Sequence, residues 1–171
     1  MGMSVTISAA RAQDAEQILK LQYLCYQDEA ELYGDYTIEP LTQTLEDLRA
    51  ELDAGHGLVA RLGDEIVASV RGTIDEQGTA RIVKLIVHPR MQRHGLGGRL
   101  LDAIEGEFAT APAARRFQLF TGHRSEGNLR LYRSRGYAPV SKEQIGPRLT
   151  LVTLEKPASQ DTAATAYVAS A

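Results

Sequence analysis

The residues with the clearest chemical potential form a glycine-rich stretch between two apolar segments. The sequence VHPRMQRHGLGGRLL, residues 87–101, combines three arginines, two histidines and three glycines. A strand that leads through such a turn into a helix presents unpaired backbone N–H groups, where the helix dipole places about half a positive charge. Because Gly95, Gly97 and Gly98 carry no Cβ, a ligand can approach the backbone closely. The stretch predicts a phosphate-binding turn. Ionic contacts could come from three arginines: Arg90, Arg93 and Arg99.

Two familiar phosphate loops do not match this spacing. A Walker loop ends in Gly-Lys-Ser/Thr, whereas Gly98 is followed by Arg99 and Leu100. The dinucleotide fingerprint needs a third glycine at position 100 and the first unit of a parallel sheet, whereas the strands before this turn form an antiparallel meander. A turn that only packs a helix onto a sheet remains the structural alternative.

Charge is divided unevenly along the chain. Residues 1–56 hold eleven acidic and three basic residues, a net of −8, and residues 57–171 hold eleven acidic and sixteen basic residues, a net of +5, which together restore −3. Residues 81–135 hold eleven Lys or Arg against four acids. The basic part predicts an anionic ligand and the acidic part a cationic one, although scattered surface charge explains many of these residues singly.

Hydrophobic periodicity predicts the elements that position these residues. Strands are predicted over residues 5–9, 56–62, 65–72, 79–87, 116–121 and 148–154. Helices are predicted over residues 14–26, from 41 to about 55, from the glycine stretch to 108, and over 128–135. The acidic segment 27–40 is expected to be partly irregular. The strand after the glycine stretch must return parallel to the strand before it if the helix between them is a crossover.

Two motifs carry a resemblance to a known family. After Val-His-Pro at residues 87–89, residues 92–97 (QRHGLG) match the signature Gln/Arg-x-x-Gly-x-Gly/Ala. Downstream, residues 131–132 (LY) and 136–137 (GY) match a Leu-Tyr pair followed by Gly-Tyr/Phe. With the order of predicted elements, these motifs make the chain resemble the GNAT superfamily of N-acetyltransferases over about residues 4–156.

The resemblance implies an α/β (α+β), single-domain acyl-CoA N-acyltransferase fold. Its central sheet would be mixed but mostly antiparallel, with about six to seven strands flanked by four helices. The domain would span residues 1–156, and residues 157–171 would form a small, polar C-terminal tail. The implied activity is acetyl-CoA-dependent transfer of an acetyl group directly to a primary amine of a small molecule or peptide.

By the same resemblance, the backbone amides of residues 93–98 would bind the CoA pyrophosphate. The end of the fourth strand would pair with the pantetheine arm like an added strand, and Ser125 and Asn128 would line that arm. Many relatives carry Asn at the place of Ser125, so the polar contact to CoA is open. The cofactor-binding set is Leu85, Ile86, Val87, Gln92, Arg93, His94, Gly95, Leu96, Gly97, Gly98, Arg99, Ser125 and Asn128.

Catalysis in such enzymes needs a proton donor for the departing thiolate, and the resemblance assigns that role to Tyr132. The alternative for Tyr132 is a core aromatic. The base is not evident, because the fourth-strand positions where some relatives place a glutamate carry Arg81, Val83 and Lys84. A water chain to Glu29, Glu31 or Asp35, or an amine that is already partly neutral in the site, stays open.

The acidic segment belongs to the region that shapes the acceptor site in this family. Carboxylates with aromatic neighbours suit a cationic amine, and the alternative is a solvated acidic loop. The predicted substrate-binding residues are Glu29, Glu31, Tyr33 and Asp35. No metal is expected, since the lone Cys25 excludes a Cys-rich site.

Other functions and partners are less favoured. A catalytically inactive acyl-CoA-binding sensor of the same fold is the main alternative, supported by the missing strand carboxylate. Nucleic-acid binding is not expected, because the basic residues centre on a site that CoA phosphates explain. No apolar run approaches the roughly 18 residues of a membrane span, and MGMSV lacks the features of a secretory signal, so a cytoplasmic location is expected. A homodimer is left open.

Overall fold

The computed structural model describes residues 4–110 and 114–158, which contain seven strands and six α-helices. The strands are β1 Val5–Ala9, β2 His56–Leu62, β3 Glu65–Ile74, β4 Thr79–Val87, β5 Arg116–Gly122, β6 Ala138–Gln144 and β7 Thr150–Pro157. The helices are α1 Ala15–Cys25, α2 Gln27–Tyr33, α3 Glu39–Thr42, α4 Leu45–Ala54, α5 Leu96–Phe108 and α6 Glu126–Ser134. Short 3-10 turns occupy Ala12–Asp14 and Pro89–Met91.

All seven strands form one sheet in the order β1-β2-β3-β4-β5-β7-β6. Neighbouring strands are antiparallel except β4 and β5, which are parallel and joined through α5. This confirms the predicted mixed, mostly antiparallel sheet of an α/β fold. The parallel pair is the one that the sequence predicted on the condition that the helix between these strands is a crossover.

Each face of the sheet has its own core. Helix α5 buries the predicted face, Leu96, Leu100, Leu101, Ile104 and Phe108, against one side. Helices α1 and α4 pack on the other side, where Ile18 and Leu48 are fully buried. Alternation along β2 supplies both cores, since Leu58 and Ala60 face α5 while Val59 faces α1.

Two parts of the fold differ from the sequence-based expectation. The segment predicted to be irregular forms α2 and the single turn α3, so six helices replace the expected four within the described residues. The helix predicted from residue 41 begins instead at Leu45, because Gln43 is extended and Thr44 caps α4 by accepting the Asp47 N–H at 3.1 Å.

Strand β6 was not predicted individually. Every residue of β6 is exposed, and the strand contains Pro139 and the charged pair Lys142 and Glu143. Such an edge strand shows no apolar alternation, so periodicity does not reveal it. The proposed boundary at residue 156 stays a prediction. Strand β7 continues to Pro157, and residues 159–171 lie outside the described residues.

A β-bulge in β4 determines how the sheet opens. Ser69 pairs with Ile86 and Arg71 with Val83, so β4 has one residue more than β3 between these pairs. Lys84 adopts a left-handed φ of 53° there. Because side chains alternate, the extra residue reverses the faces of β4: Ile82 lies in the α5 core and Ile86 in the α1 core.

Pairing between β4 and β5 ends just before this bulge. Residues 79–81 pair with residues 116–118, and no later residue of β4 is registered against β5. The remainder of β5 pairs only with β7. The two central strands therefore leave a gap between them, and the β5-facing edge of β4 is open along residues 82–87.

The packing of α5 on β3 gives a direct test of this core. An ideal Cβ at Gly72 would lie 2.9 Å from the Arg81 carbonyl oxygen and 2.9 Å from the Phe108 ring, whereas a Cβ at Gly106 meets nothing within 4 Å. Gly72→Ala should lower the free energy of unfolding by about 1–3 kcal/mol. Gly106→Ala, on the exposed side of α5, should raise it by up to about 1 kcal/mol. Urea unfolding of both variants checks this, and equal changes would contradict the packing described.

Candidate active site

A cleft of about 1320 Å³ lies at the gap between β4 and β5. One end is formed by the glycine turn before α5 and by the outer face of α6. The middle is formed by the open edge of β4, and the other end by α2, α3 and the hairpin between β6 and β7. This surface is called the cleft below.

The glycine turn has the geometry of an anion site. Arg93 and Gly95 both adopt left-handed conformations, with φ of 70° and 75°, and Gly95 caps α5. The first helical bond runs from Arg99 N–H to Gly95 O at 3.1 Å, so the amides of residues 96–98 precede the helical bonding pattern. The positive end of the α5 dipole and Arg93 therefore meet at the same end of the cleft.

The three glycines of the turn have different reasons to lack a side chain. A Cβ at Gly95 would meet nothing within 4 Å, so its role is the left-handed cap. A Cβ at Gly97 would lie 3.4 Å from Leu131 of α6, in ordinary contact. A Cβ at Gly98 would overlap the Arg135 guanidinium, the flexible end of a side chain that packs on α5 from the end of α6.

Two side chains donate hydrogen bonds to the backbone carbonyl at the end of β4. The Val87 oxygen accepts hydrogen bonds from Gln92 Nε2 at 3.1 Å and from Cys25 Sγ at 3.4 Å. Gln92 thus hydrogen-bonds to the last residue of β4 and also lines the cleft. Burial, followed by the negative charge of Asp28, raises the pKa of the Cys25 thiol to about 12, so the thiol stays protonated and is not a nucleophile at neutral pH.

Helix α6 places Tyr132 at the centre of the cleft. The side chain is 6% exposed, and its ring packs edge-on against Tyr137 at 6.2 Å between centroids. Within residues 4–110 and 114–158, no hydrogen-bond partner lies within reach of its hydroxyl. Burial, and then the negative charge of Glu29, raises the pKa of Tyr132 above its ordinary value. The hydroxyl is therefore a protonated donor that faces the cleft.

Helix α2 faces α6 across the cleft. Glu29 and Tyr33 are four residues apart on one side of α2, and Tyr26 precedes the helix as its N-cap. All three residues line the cleft. Both carboxylate oxygens of Glu29 lie 3.1 Å from Ser125 Oγ, and the Tyr33 hydroxyl lies 2.8 Å from the same Oγ. Burial raises the pKa of Glu29, and the Ser125 hydrogen bond opposes that rise.

Most of the residues predicted from the sequence line the cleft. These are Glu29, Tyr33, Asp35, Leu85, Ile86, Val87, Gln92, Arg93, Gly95, Leu96, Gly97, Gly98, Asn128 and Tyr132. Four predicted residues do not: Glu31, His94, Arg99 and Ser125. Glu31, His94 and Arg99 are exposed, whereas Ser125 is buried beneath the cleft wall.

The floor of the cleft holds a charged cluster that the sequence did not reveal. Lys84 Nζ donates to Glu39 at 3.0 Å, to Gln43 at 3.1 Å and to Glu51 at 3.4 Å. Glu51 also lies 3.3 Å from Nε of the buried Arg71. These partners are 20 to 45 positions apart along the chain, so no local pattern joins them.

The remaining cleft carboxylates differ from Glu29 in their electrostatics. Burial opposes ionisation of Glu51, yet the Arg71 and Lys84 charges and the Gln43 hydrogen bond bring its pKa below the ordinary value. Hydrogen bonds from the Thr37 side chain and backbone lower the pKa of Asp35. Both groups therefore stay ionised and are weaker bases than an ordinary carboxylate.

A family model and several solved structures match this chain. The model of the acetyltransferase (GNAT) family matches residues 16–137. An acetyltransferase of the GNAT family from Streptococcus pneumoniae is 20% identical, with a TM-score of 0.71, over 90% of this chain and 99% of that one. No curated protein matches.

Two further similar structures were solved with a coenzyme. The protein yncA of Salmonella typhimurium, solved with its cofactor acetyl-CoA, is 17% identical with a TM-score of 0.74, over 91% of this chain and 95% of that one. The PaiA N-acetyltransferase of Thermoplasma acidophilum, in complex with coenzyme A, is 16% identical with a TM-score of 0.74, over 91% and 99%. Within the described ranges of this chain, none of the helices has the length and apolar character to span a bilayer.

The strained turn before α5 predicts opposite responses at adjacent positions. Arg93 is left-handed and His94 is not. Glycine at position 93 relieves backbone strain, whereas glycine at position 94 only adds freedom to the unfolded chain. Arg93→Gly should therefore be more stable than His94→Gly by about 1–2 kcal/mol in chemical unfolding. Equal stability of the two variants would show that the turn has a different conformation.

Proposed function

The chain belongs to the acetyltransferase (GNAT) family, and we propose that it is an acetyl-CoA-dependent N-acetyltransferase that acetylates a primary amine of a small molecule or peptide by direct transfer. The supporting observation is the cleft itself. It joins an anion-binding turn, an open strand edge and the free hydroxyl of Tyr132 in one continuous surface.

The residues of this chain suit each part of the coenzyme. The amides and Arg93 at the start of α5 offer hydrogen bonds and positive charge to a diphosphate. The unpaired edge of β4 over residues 85–87 offers backbone groups to the amide-containing pantetheine arm, as an added strand would require. Asn128, whose Nδ2 donates to Thr121 Oγ1 at 3.2 Å, also lines the cleft.

The proposed reaction is direct attack of the neutral amine on the thioester carbonyl. The coenzyme supplies the activated acetyl group. Tyr132 is proposed to donate a proton to the departing thiolate, since its pKa is held high and its hydroxyl faces the cleft without a protein partner among the described residues. The acidic side chains Asp28, Glu29 and Asp35 line the acceptor end and suit a cationic amine.

A catalytically inactive acyl-CoA sensor is the second candidate. One observation favours it: β4 presents no carboxylate to the cleft, and Lys84 is bound to Glu39 and Glu51 instead. The presence of Tyr132 in the cleft favours catalysis, because its protonated hydroxyl can act as a proton donor there. A cytoplasmic location and the absence of nucleic-acid or membrane partners stay predictions of the sequence, and a homodimer stays open.

The decisive experiment measures binding and transfer separately. Calorimetry should detect coenzyme A binding, and release of free thiol from acetyl-CoA should require an amine from a panel of polyamines, amino acids, aminoglycosides and peptides with free N-termini. Binding without amine-dependent thiol release would favour the sensor. Absence of binding at millimolar coenzyme A would reject both functions.

The role of Tyr132 can be separated from its packing. Tyr132→Phe should lower kcat at least about tenfold with little change in affinity for acetyl-CoA, because only the proton donor is removed. Tyr137→Phe is the matched control, since it removes a buried hydroxyl that donates to Glu105 at 2.8 Å outside the cleft. The control should lose about 1 kcal/mol of stability and keep its turnover. Unchanged kcat in Tyr132→Phe would reject the role of Tyr132 as the acid.

A further inference from the structure

We propose that Glu29 accepts the proton of the acceptor amine, and that Ser125 and Tyr33 are positioning residues that hold its carboxylate at the cleft. The inference rests on the proposed function and supplies the base that β4 lacks. In this proposal the Ser125 hydroxyl binds the Glu29 carboxylate and not the pantetheine arm.

The two helices bring the base and the acid to one place. Glu29 and Tyr33 are four residues apart on α2, and both line the cleft. Ser125 caps α6, and Tyr132 follows seven residues later, which is two helical turns, so the two side chains lie on the same side of that helix. Ser125 contacts Glu29 directly, and Tyr132 is close enough for the Glu29 charge to affect its ionisation.

The hydrogen-bond chain has one consistent direction. The Arg124 N–H donates to the Tyr33 oxygen at 3.0 Å. Ser125 has a single hydroxyl proton, and donation to the Glu29 carboxylate uses it. Ser125 must therefore accept from the Tyr33 hydroxyl at 2.8 Å. Every donor in the chain points towards Glu29, which fixes the carboxylate in place.

The fold provides space for this chain at the end of β5. Tyr33 is 4% exposed, although it belongs to a short acidic helix. A Cβ at Gly122 would overlap the Tyr33 hydroxyl, so only glycine at this position lets the ring reach Ser125. The Tyr33 hydroxyl can therefore donate to Ser125 Oγ because α2, the end of β5 and the cap of α6 meet at this point.

The other acidic residues of the cleft are less suited to this role. Glu51 and Glu39 are ion-paired with Lys84, and Glu51 also with Arg71. Asp35 is exposed and accepts from Thr37 N–H at 2.8 Å and Thr37 Oγ1 at 2.6 Å.

Asp28 lines the cleft but is exposed to solvent. Of the cleft carboxylates in the described ranges, Glu29 alone is half-buried, held by a neutral donor and without a cationic partner.

The charged and titratable groups around Glu29 come from two elements and one loop. Asp28 on α2 raises the pKa of Glu29 further, after the larger effect of burial. Tyr26 at the N-cap of α2 and Tyr132 on α6 are neutral phenols whose pKa values burial raises.

In the loop before α6, Arg124 donates its side chain to Leu32 O at 3.4 Å, and the His123 ring packs against Tyr33 at 6.0 Å between centroids. Neither Arg124 nor His123 forms a salt bridge with Glu29.

The proposed proton transfers balance. The ammonium form of the acceptor loses one proton to Glu29, directly or through water, and the neutral nitrogen attacks the thioester carbon. The C–S bond breaks, and the thiolate takes the Tyr132 proton. The second proton lost by the nitrogen returns Tyr132 to the phenol, and Glu29 releases its proton to solvent. The products are one amide, one CoA thiol and one proton.

The first test compares Glu29→Gln with Glu46→Gln, which changes an exposed carboxylate on α4, outside the cleft. The substrates are acetyl-CoA and the best amine found in the panel above. Glu29→Gln should lower kcat at least about tenfold and lose the acidic limb of the kcat/KM profile against pH. Glu46→Gln should match the unaltered protein, and both variants should keep their affinity for coenzyme A.

The second test uses Ser125→Ala to separate catalysis from structure. Because the Ser125 hydrogen bond lowers the pKa of Glu29, its removal should move the acidic limb to higher pH. Carbon-13 NMR titration of the Glu29 carboxyl should show the same upward shift without relying on turnover. A role in folding alone would lower the rate and leave the limb in place.

The outcomes distinguish this inference from the proposed function. If the unaltered protein acetylates an amine and Glu29→Gln keeps both its rate and its acidic limb, Glu29 is not the base, and the acetyltransferase function stands. If the unaltered protein binds coenzyme A but acetylates no amine, the proposed function fails and the role of Glu29 fails with it. An unshifted carboxyl titration in Ser125→Ala overturns the positioning role.

Discussion

The bulge at Lys84 is the constraint on which the functional architecture depends. Without it, β4 could continue its pairing with β5, and neither a gap nor an open strand edge would exist. A left-handed lysine costs about 1–2 kcal/mol, so the surrounding structure must hold it. The contacts of Lys84 with Glu39, Gln43 and Glu51 do so, and they tie the centre of the sheet to α3 and α4.

The division of charge along the sequence becomes a division along the cleft. The basic part of the chain supplies the turn before α5 and helix α6, and the acidic part supplies α2 to α4. A diphosphate and a cationic amine would therefore enter from opposite ends and meet near the open edge of β4. Tyr132 of α6 lines the same cleft.

The sequence predicted what depends on local periodicity and not what depends on distant partners. The buried face of α5 and the antiparallel meander were recognisable because apolar residues repeat at the spacing of a helix or a strand. The bulge was not, because Lys84 is held by residues 33 to 45 positions away. The contact between Ser125 and Glu29 spans 96 positions, so the motif that marked Ser125 could not show which ligand its hydroxyl binds.

The charge balance on the cleft floor explains why an incoming amine would be drawn to α2. Arg71 and Lys84 face Glu39 and Glu51, two cations against two anions, so this cluster carries no net charge towards the cleft. The uncompensated negative charge of the acceptor end then lies on Asp28, Glu29 and the nearby Asp35. Under the proposed function, an ammonium group would be attracted to the same helix that carries the proposed base, and it would lose its proton beside the half-buried carboxylate of Glu29.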